Sequence, residues 1–249
     1  MDLTSYMTFG FAMAALAGFA GAYIRGFTGF GANLVWAPVL VTVIDPVQAV
    51  AIMALVGSVN TLQIIGPAAK QADWKGIYPI ILAAAVTAPL GIWALYNMEA
   101  DNVRRAIGVF ILVIAFILMT GWRYKGDRTG IKGRIAQFTT GSIGGWLAGF
   151  GGIGGPIPVL YFMASNDPAP IQRANNVISV SALVPMVLIV LIYRGAITSD
   201  TLIQAALLFI PAAVGTWLGA HSFTKAPPEI FRKAVLVLLV IIGVSALGL

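Results

Sequence analysis

Long apolar runs, separated by charged or Pro/Gly-rich breaks, cover nearly the whole chain and predict five segments in each half. In the first half they fall at about 6–24, 28–44, 46–68, 75–97 and 103–122, and in the second at about 134–149, 150–165, 170–193, 199–222 and 230–249. Crossing the hydrocarbon of a bilayer takes roughly 20 apolar residues in a helix, so these are membrane helices. A barrel would instead show alternating strands of about ten residues. The second segment of each half is short and rich in Gly and Pro, which predicts half of a broken helix or a re-entrant hairpin.

The two halves share more than hydropathy. Gly21, Gly29, Phe30, Gly31, Pro38, Val39 and Leu40 recur 120 positions on as Gly141, Gly149, Phe150, Gly151, Pro158, Val159 and Leu160. Asp45-Pro46 returns as Asp167-Pro168, Gly91-Ile92-Trp93 as Gly215-Thr216-Trp217, and Arg104-Arg105-Ala106 as Arg232-Lys233-Ala234. The offset grows only at predicted loops, the trace left by duplication with small insertions. The expected organisation is a single membrane domain over 1–249: repeat one at 1–122, a cytoplasmic linker at 123–133 and repeat two at 134–249.

Composition identifies the solvent. The chain is 59% hydrophobic and only 10% charged, against roughly 25% charged in soluble domains, and no polar stretch is long enough for an appended soluble domain. The net charge of +6 comes from Lys and Arg spread over short loops, without the aromatic-interleaved stripe of a nucleic-acid surface. It reads instead as positive loops retained in the cytoplasm. If each half crosses an odd number of times, one side holds twelve of the 15 cations, leaving Arg104, Arg105 and Arg194 on the other. An even count nearly balances the sides. The odd count is therefore expected, with both termini periplasmic, the 123–134 loop inside and the halves inverted. Reassigning the second segment as a re-entrant leg moves only Arg25, so ten spans and fewer spans plus hairpins both fit the charges. The first segment follows no basic residue, which predicts a retained helix rather than a cleaved signal. Without cysteine there are no disulfides, thiolate metal sites or cysteine nucleophiles.

Candidate chemistry gathers at the two Gly-rich stretches, Arg25 to Asn33 and Gly149 to Pro158. Glycine permits positive φ, and proline interrupts the helical ladder. Such backbone is tolerated at membrane depth only against protein or a wet cavity. Where a helix restarts, free N–H groups and a positive dipole end can receive an anion. Gly29, Gly31, Gly151, Gly152 and Gly154 are candidate backbone ligands, although glycine also allows close helix packing. Arg25 lies at the first break, and Asn33 follows it. Gln172, Arg173, Asn175 and Asn176 place amides and a planar fork of donors at the start of an otherwise apolar helix. Asn60 and Gln63 share a helix face and serve equally as interhelical hydrogen-bond glue. Ser179 and Ser181 are weaker candidates, because serine is common in membrane helices.

With these residues the chain resembles the TauE/SafE sulfite exporter family, also called TSUP, over essentially its full length. The resemblance rests on the duplicated Gly-Phe-Gly leading to Pro-Val-Leu, on Ala72-Asp73-Trp74, and on Gly91 and Gly215 in matching helices. It implies a multi-helix carrier of sulfite, thiosulfate, sulfonates or other small anions. Many members have Gly-Thr-Ser after an alanine at the start of the following helix. Here those stretches read Ala51-Ile52-Met53 and Ala174-Asn175-Asn176.

The expected function is thus a secondary carrier exporting a small anion by alternating access, in the cell inner membrane and with no cofactor. No carboxylate lies near a segment centre to relay protons. Asp45 and Asp167 are expected as helix caps before proline, and His221 ends its helix near the cytoplasm. An importer or channel-like pathway would use the same cradle, and a scaffold or sensor would need no mirrored breaks. An enzyme is not expected, because no paired carboxylates, HExxH or nucleophile and base stand within the segments. The partners expected are the substrate and the bilayer, and a homodimer fits a carrier of this size.

Overall fold

The computed structural model describes residues 8–120, 130–162 and 167–222, and all regular structure among them is helical. The helices are α1 (Phe9–Thr28), α2 (Ala32–Val43), α3 (Pro46–Ala69), α4 (Trp74–Asn97), α5 (Ala100–Met119), α6 (Gly130–Gly151), α7 (Pro156–Phe162), α8 (Ala169–Tyr193) and α9 (Ser199–Ser222). Nine of the ten expected segments are present. The expected tenth, at 230–249, and most of the linker at 123–133 lie outside the described residues. Among the described residues, five helices are long and apolar enough to cross a membrane: α1, α3, α4, α8 and α9.

Local chemistry explains several ends. Thr8 caps α1 through its hydroxyl, which accepts from the Phe11 amide at 3.2 Å. Asp45 caps α3, taking the Val47 amide at 2.9 Å, with Pro46 at the first helical position where no amide is needed. Asp167 behaves differently from the expected cap. Pro168 holds the N-cap of α8 without a side-chain bond, and the Asp167 carbonyl accepts from Gln172 Nε2 at 2.9 Å.

α1 and α2 fold back on each other as an antiparallel hairpin: Gly10 lies against Val43, Gly18 against Trp36 and Gly21 against the Ala32 backbone. α6 and α7 do the same, with Gly144 facing Gly154 and Pro158. One end of the bundle gathers the end of α2 and the starts of α3, α5 and α9. There Gln48 Nε2 donates to Asp200 Oδ2 at 2.8 Å, and Arg104 Nε donates to the Val41 carbonyl at 2.6 Å. The ends of α4 and α8 lie at the same end, where the Arg194 guanidinium sits 5.6 Å from the centre of the Tyr96 ring. The opposite end joins α3's last turns to α4's first, α7 and the start of α8 in an apolar cluster of Ile64, Ala68, Ile77, Tyr161, Phe162 and Ala174. α3 and α8 therefore run antiparallel through the centre.

The most extensive helix contacts are between α1 and α9 and between α4 and α6, followed by α3 with α8. Glycine makes both outer pairs close. A Cβ on Gly215 or Gly219 would overlap the Phe19 or Tyr23 carbonyl, and one on Gly141, Gly149 or Gly91 would overlap the Ile80, Ala88 or Trp146 carbonyl. Such backbone-to-backbone approach is how membrane helices gain dispersion energy without a hydrophobic drive between them. Outward faces carry Leu62, Leu82, Val86, Phe116 and Ile189, all exposed, as a lipid-facing surface would.

Candidate functional site

The first hairpin turns at Gly29-Phe30-Gly31, where Gly29 and Gly31 take φ of 88° and 93°, a region that costs other residues strain. Gly29 closes α1 by donating to the Arg25 carbonyl, and Gly31 precedes α2 without a side-chain cap. In the second hairpin, Gly149, Phe150 and Gly151 remain inside α6. The turn comes at Gly152, φ 70°, whose amide donates to the Ala148 carbonyl while the Ile153 amide reaches back to the Leu147 carbonyl, so a left-handed glycine closes the helix. Repeat alignment thus places the second break three residues early, because Gly149 answers to packing on α4 rather than to the turn.

The two turns meet. Asn33 Nδ2 donates to the Gly152 carbonyl at 2.8 Å, tying the start of α2 to the second break. Beside this bond lies a cavity of about 50 Å³. A water needs roughly 10–15 Å³ measured this way, so the space suits about four waters or one small solute. Gly31 to Leu34 form one wall and Gly152 to Pro156 another, closed by Val50 to Gly57 of α3 and Val180 to Val187 of α8.

Arg25 also lines this cavity. Its side chain is only 5% exposed. NH2 donates to Thr61 Oγ1 at 2.5 Å and to Ser181 Oγ at 3.3 Å, NH1 to the Gly57 carbonyl at 3.4 Å, and Nε is buried without a partner. Every acceptor is neutral. The one ion pair among the described residues is Arg104 with Asp101, on the surface. Gly57 and Ser181 stand near the midpoints of α3 and α8, so the guanidinium is held at mid-height in the bundle. A buried ion without a counter-charge costs several kcal/mol, and neutral dipoles offset only part of that.

Five of the expected site residues share the cavity: Arg25, Gly31, Asn33, Gly152 and Gly154. The others lie outside its lining. Gly29 packs toward Val177 and the Arg173 carbonyl, and Gly151 toward Ile107. Arg173 donates from Nε to the Phe27 carbonyl at 2.9 Å and from NH2 to Gly26, so it holds the carbonyl end of α1. Asn175 Oδ1 accepts the Asp73 amide at 2.7 Å and fastens the start of α4. Asn176 is buried with its Oδ1 unpartnered. Gln63 is exposed and donates to buried Asn60 at 3.3 Å, and Gln172 bonds within its own turn.

Sequence reasoning passed over Thr61, Gly57 and Met53. Gly57 and Thr61 are four apart on α3 and share a face, a weak signal in a helix with so many small residues. Replacing Asn33 by Ala removes the bond between the two turns, worth about 1 kcal/mol net. The expected outcome is a thermal unfolding midpoint lower by about 2–4 °C in detergent, and an unchanged midpoint would mean the turns do not depend on it.

Over 190 residues, 71% of this chain and 73% of the relative, the sequence is 27% identical to "Probable inner membrane transporter protein TsaS" of Comamonas testosteroni. No solved structure matches. A match to the family described as Sulfite exporter TauE/SafE runs over residues 14–246, nearly the whole chain. This multi-pass membrane protein therefore belongs to the TauE/SafE family of membrane transporters.

Proposed function

We propose that the chain is a secondary carrier that exports a small anion, such as sulfite or a sulfonate, by alternating access between two inverted repeats. The observation that carries this reading is Arg25: a buried cation with no carboxylate beside it among the described residues, on the wall of a cavity where two helix breaks meet. An anion there supplies the missing counter-charge, with the start of α2 adding its positive dipole end. Carbonyls and hydroxyls hold the guanidinium in place while it waits.

The packing supports inverted repeats at 1–122 and 134–249. The first helix of each half lies on the fourth helix of the other, and the third helices cross antiparallel at the centre. The hairpins α1–α2 and α6–α7 then read as re-entrant legs entering from opposite faces. Arg104, Arg105 and Arg194 belong to the end where α1 begins, and Lys70, Lys75, Lys132 and Arg134 to the other, which the positive-inside rule makes cytoplasmic. The N-terminus is then periplasmic, and a tenth segment that crosses once would bring the C-terminus to the same side.

An anion leaving a negative interior gains roughly 2.3 kcal/mol per charge per 100 mV, so export needs no co-transported ion. In proteoliposomes loaded with sulfite or methanesulfonate, an imposed inside-negative potential of about 100 mV is expected to drive efflux toward a gradient of about 50-fold for each negative charge carried. Flux that ignores the potential and requires sodium would point instead to an ion bound at the broken helices.

A further inference from the structure

We infer that Asn60, Thr61 and Asn176 line the substrate space when the carrier opens to the cytoplasm, and that this state holds the anion more tightly than the periplasm-facing one. This rests on the alternating access and sidedness proposed above and adds residues and an affinity difference to them. Helical spacing is the first support. On α3 the lining residues Val50, Met53 and Gly57 stand three and four apart, and Asn60 is next in that stripe. On α8 the stripe of Val187, Leu183 and Val180 continues to Asn176. Both asparagines are buried, about one turn beyond the level of Arg25 on the cytoplasmic side.

The repeat is the second support. Ala51 answers to Ala174, 123 positions on, and exchanging the halves at this offset turns Met53, Leu183 and Val184 of the cavity wall into Asn176, Asn60 and Thr61. Where inverted repeats rock about a fixed site, the arrangement of one half in one state is taken by the other half in the opposite state. That second face is shut in this structure. Gly29 packs on Val177, and Arg173 bonds the last carbonyls of α1, so the first hairpin turn lies over this part of α8. Closure leaves Asn176 Oδ1 buried without a hydrogen bond, a cost that is explained if the amide serves the other state. Arg25, at mid-height, is common to both states. The periplasm-facing wall adds only carbon at the three exchanged positions, whereas the cytoplasm-facing one adds two amides and a hydroxyl.

Inside-out and right-side-out membrane vesicles containing the full chain present the two faces separately, and half-saturation constants for sulfite compare them. A hydrogen bond to an ion is worth about tenfold in affinity, so the cytoplasmic face is expected to saturate at a concentration at least about tenfold lower. Giving each asparagine the residue type of its counterpart, Asn60→Leu with Asn176→Met, should raise the cytoplasmic constant at least about tenfold and leave the periplasmic one within about twofold. Because the chain has no cysteine, single thiols supply a second measurement. A membrane-impermeant maleimide should label Asn176→Cys only from the cytoplasmic side and Met53→Cys only from the periplasmic side, each more slowly with sulfite present. Equal constants at the two faces, equal effects of the double substitution on both, or labelling of Asn176→Cys from the periplasm or from neither side would each overturn the inference while leaving an Arg25-dependent carrier intact. Absence of saturable sulfite and methanesulfonate flux from both faces would overturn the carrier reading, and this inference with it.

Discussion

Arg25→Gln is expected to lower anion flux by at least about 100-fold while leaving the protein as stable as before, or more stable. The two halves of that expectation have different origins. Removing a buried charge-assisted contact to an anion costs about 2–5 kcal/mol, and about 2.7 kcal/mol is already a factor of 100. Without substrate, however, the same guanidinium is a burden. It is 5% exposed and bonded only to Gly57, Thr61 and Ser181, all neutral. Glutamine keeps one or two of those hydrogen bonds and removes a desolvation penalty of several kcal/mol. A structural arginine would show the opposite pattern: lower stability, with flux falling only as far as the amount of folded protein falls. Counterflow in proteoliposomes, normalised to folded protein, together with unfolding midpoints, separates the two. Loss of stability with normal specific flux would make Arg25 a scaffold residue.

The fold was largely legible because helix ends in this chain are written in local chemistry. Asp45-Pro46 starts α3, and α9 runs over 199–222 as the apolar run predicts. The partners of each helix were not legible. That α1 lies on α9 and α4 on α6 is decided by surfaces far apart in sequence, and a glycine in a helix does not say whose backbone it admits. The same limit moved the second break. Gly149 aligns with Gly29, yet Gly29 has a positive φ and Gly149 is helical against the Ala88 carbonyl.

The site was legible in its breaks and in Arg25, less so in its supports. Arg173 and Arg25 look alike in sequence, each a lone cation at the edge of an apolar segment. Their difference depends on where α1 ends: its last carbonyls fall against Arg173, which bonds them, whereas Arg25 meets the middle of two helices and a cavity. Asn175 was legible as a buried amide but not as the acceptor for the Asp73 amide, because α4 and α8 meet only in the folded protein.

Gly149→Ala is expected to damage the α4–α6 contact strongly, while Gly66→Ala is nearly harmless. Intrinsic helix propensity predicts the same for both, a gain of up to about 1 kcal/mol when alanine replaces a helical glycine. Packing separates them. A Cβ at position 66 meets nothing within 4 Å beyond its chain neighbours, and only the ring of the following Pro67 offsets part of the propensity gain. At 149 it would overlap the Ala88 carbonyl and press on the Ile92 amide. Backbone atoms have no rotamer to escape into, so the helices must separate. Overpacking of this kind costs about 1–3 kcal/mol or more, and the displaced α6 carries Ala148 and the Gly152 turn on the cavity wall. Unfolding midpoints should therefore diverge: Gly66→Ala at or slightly above the parent, Gly149→Ala lower by about 3–10 °C, with flux falling further than folded protein does. If Gly149→Ala matched Gly66→Ala in both readouts, Gly149 would have no packing duty, and its place in the repeat pattern would have to be explained by the turn after all.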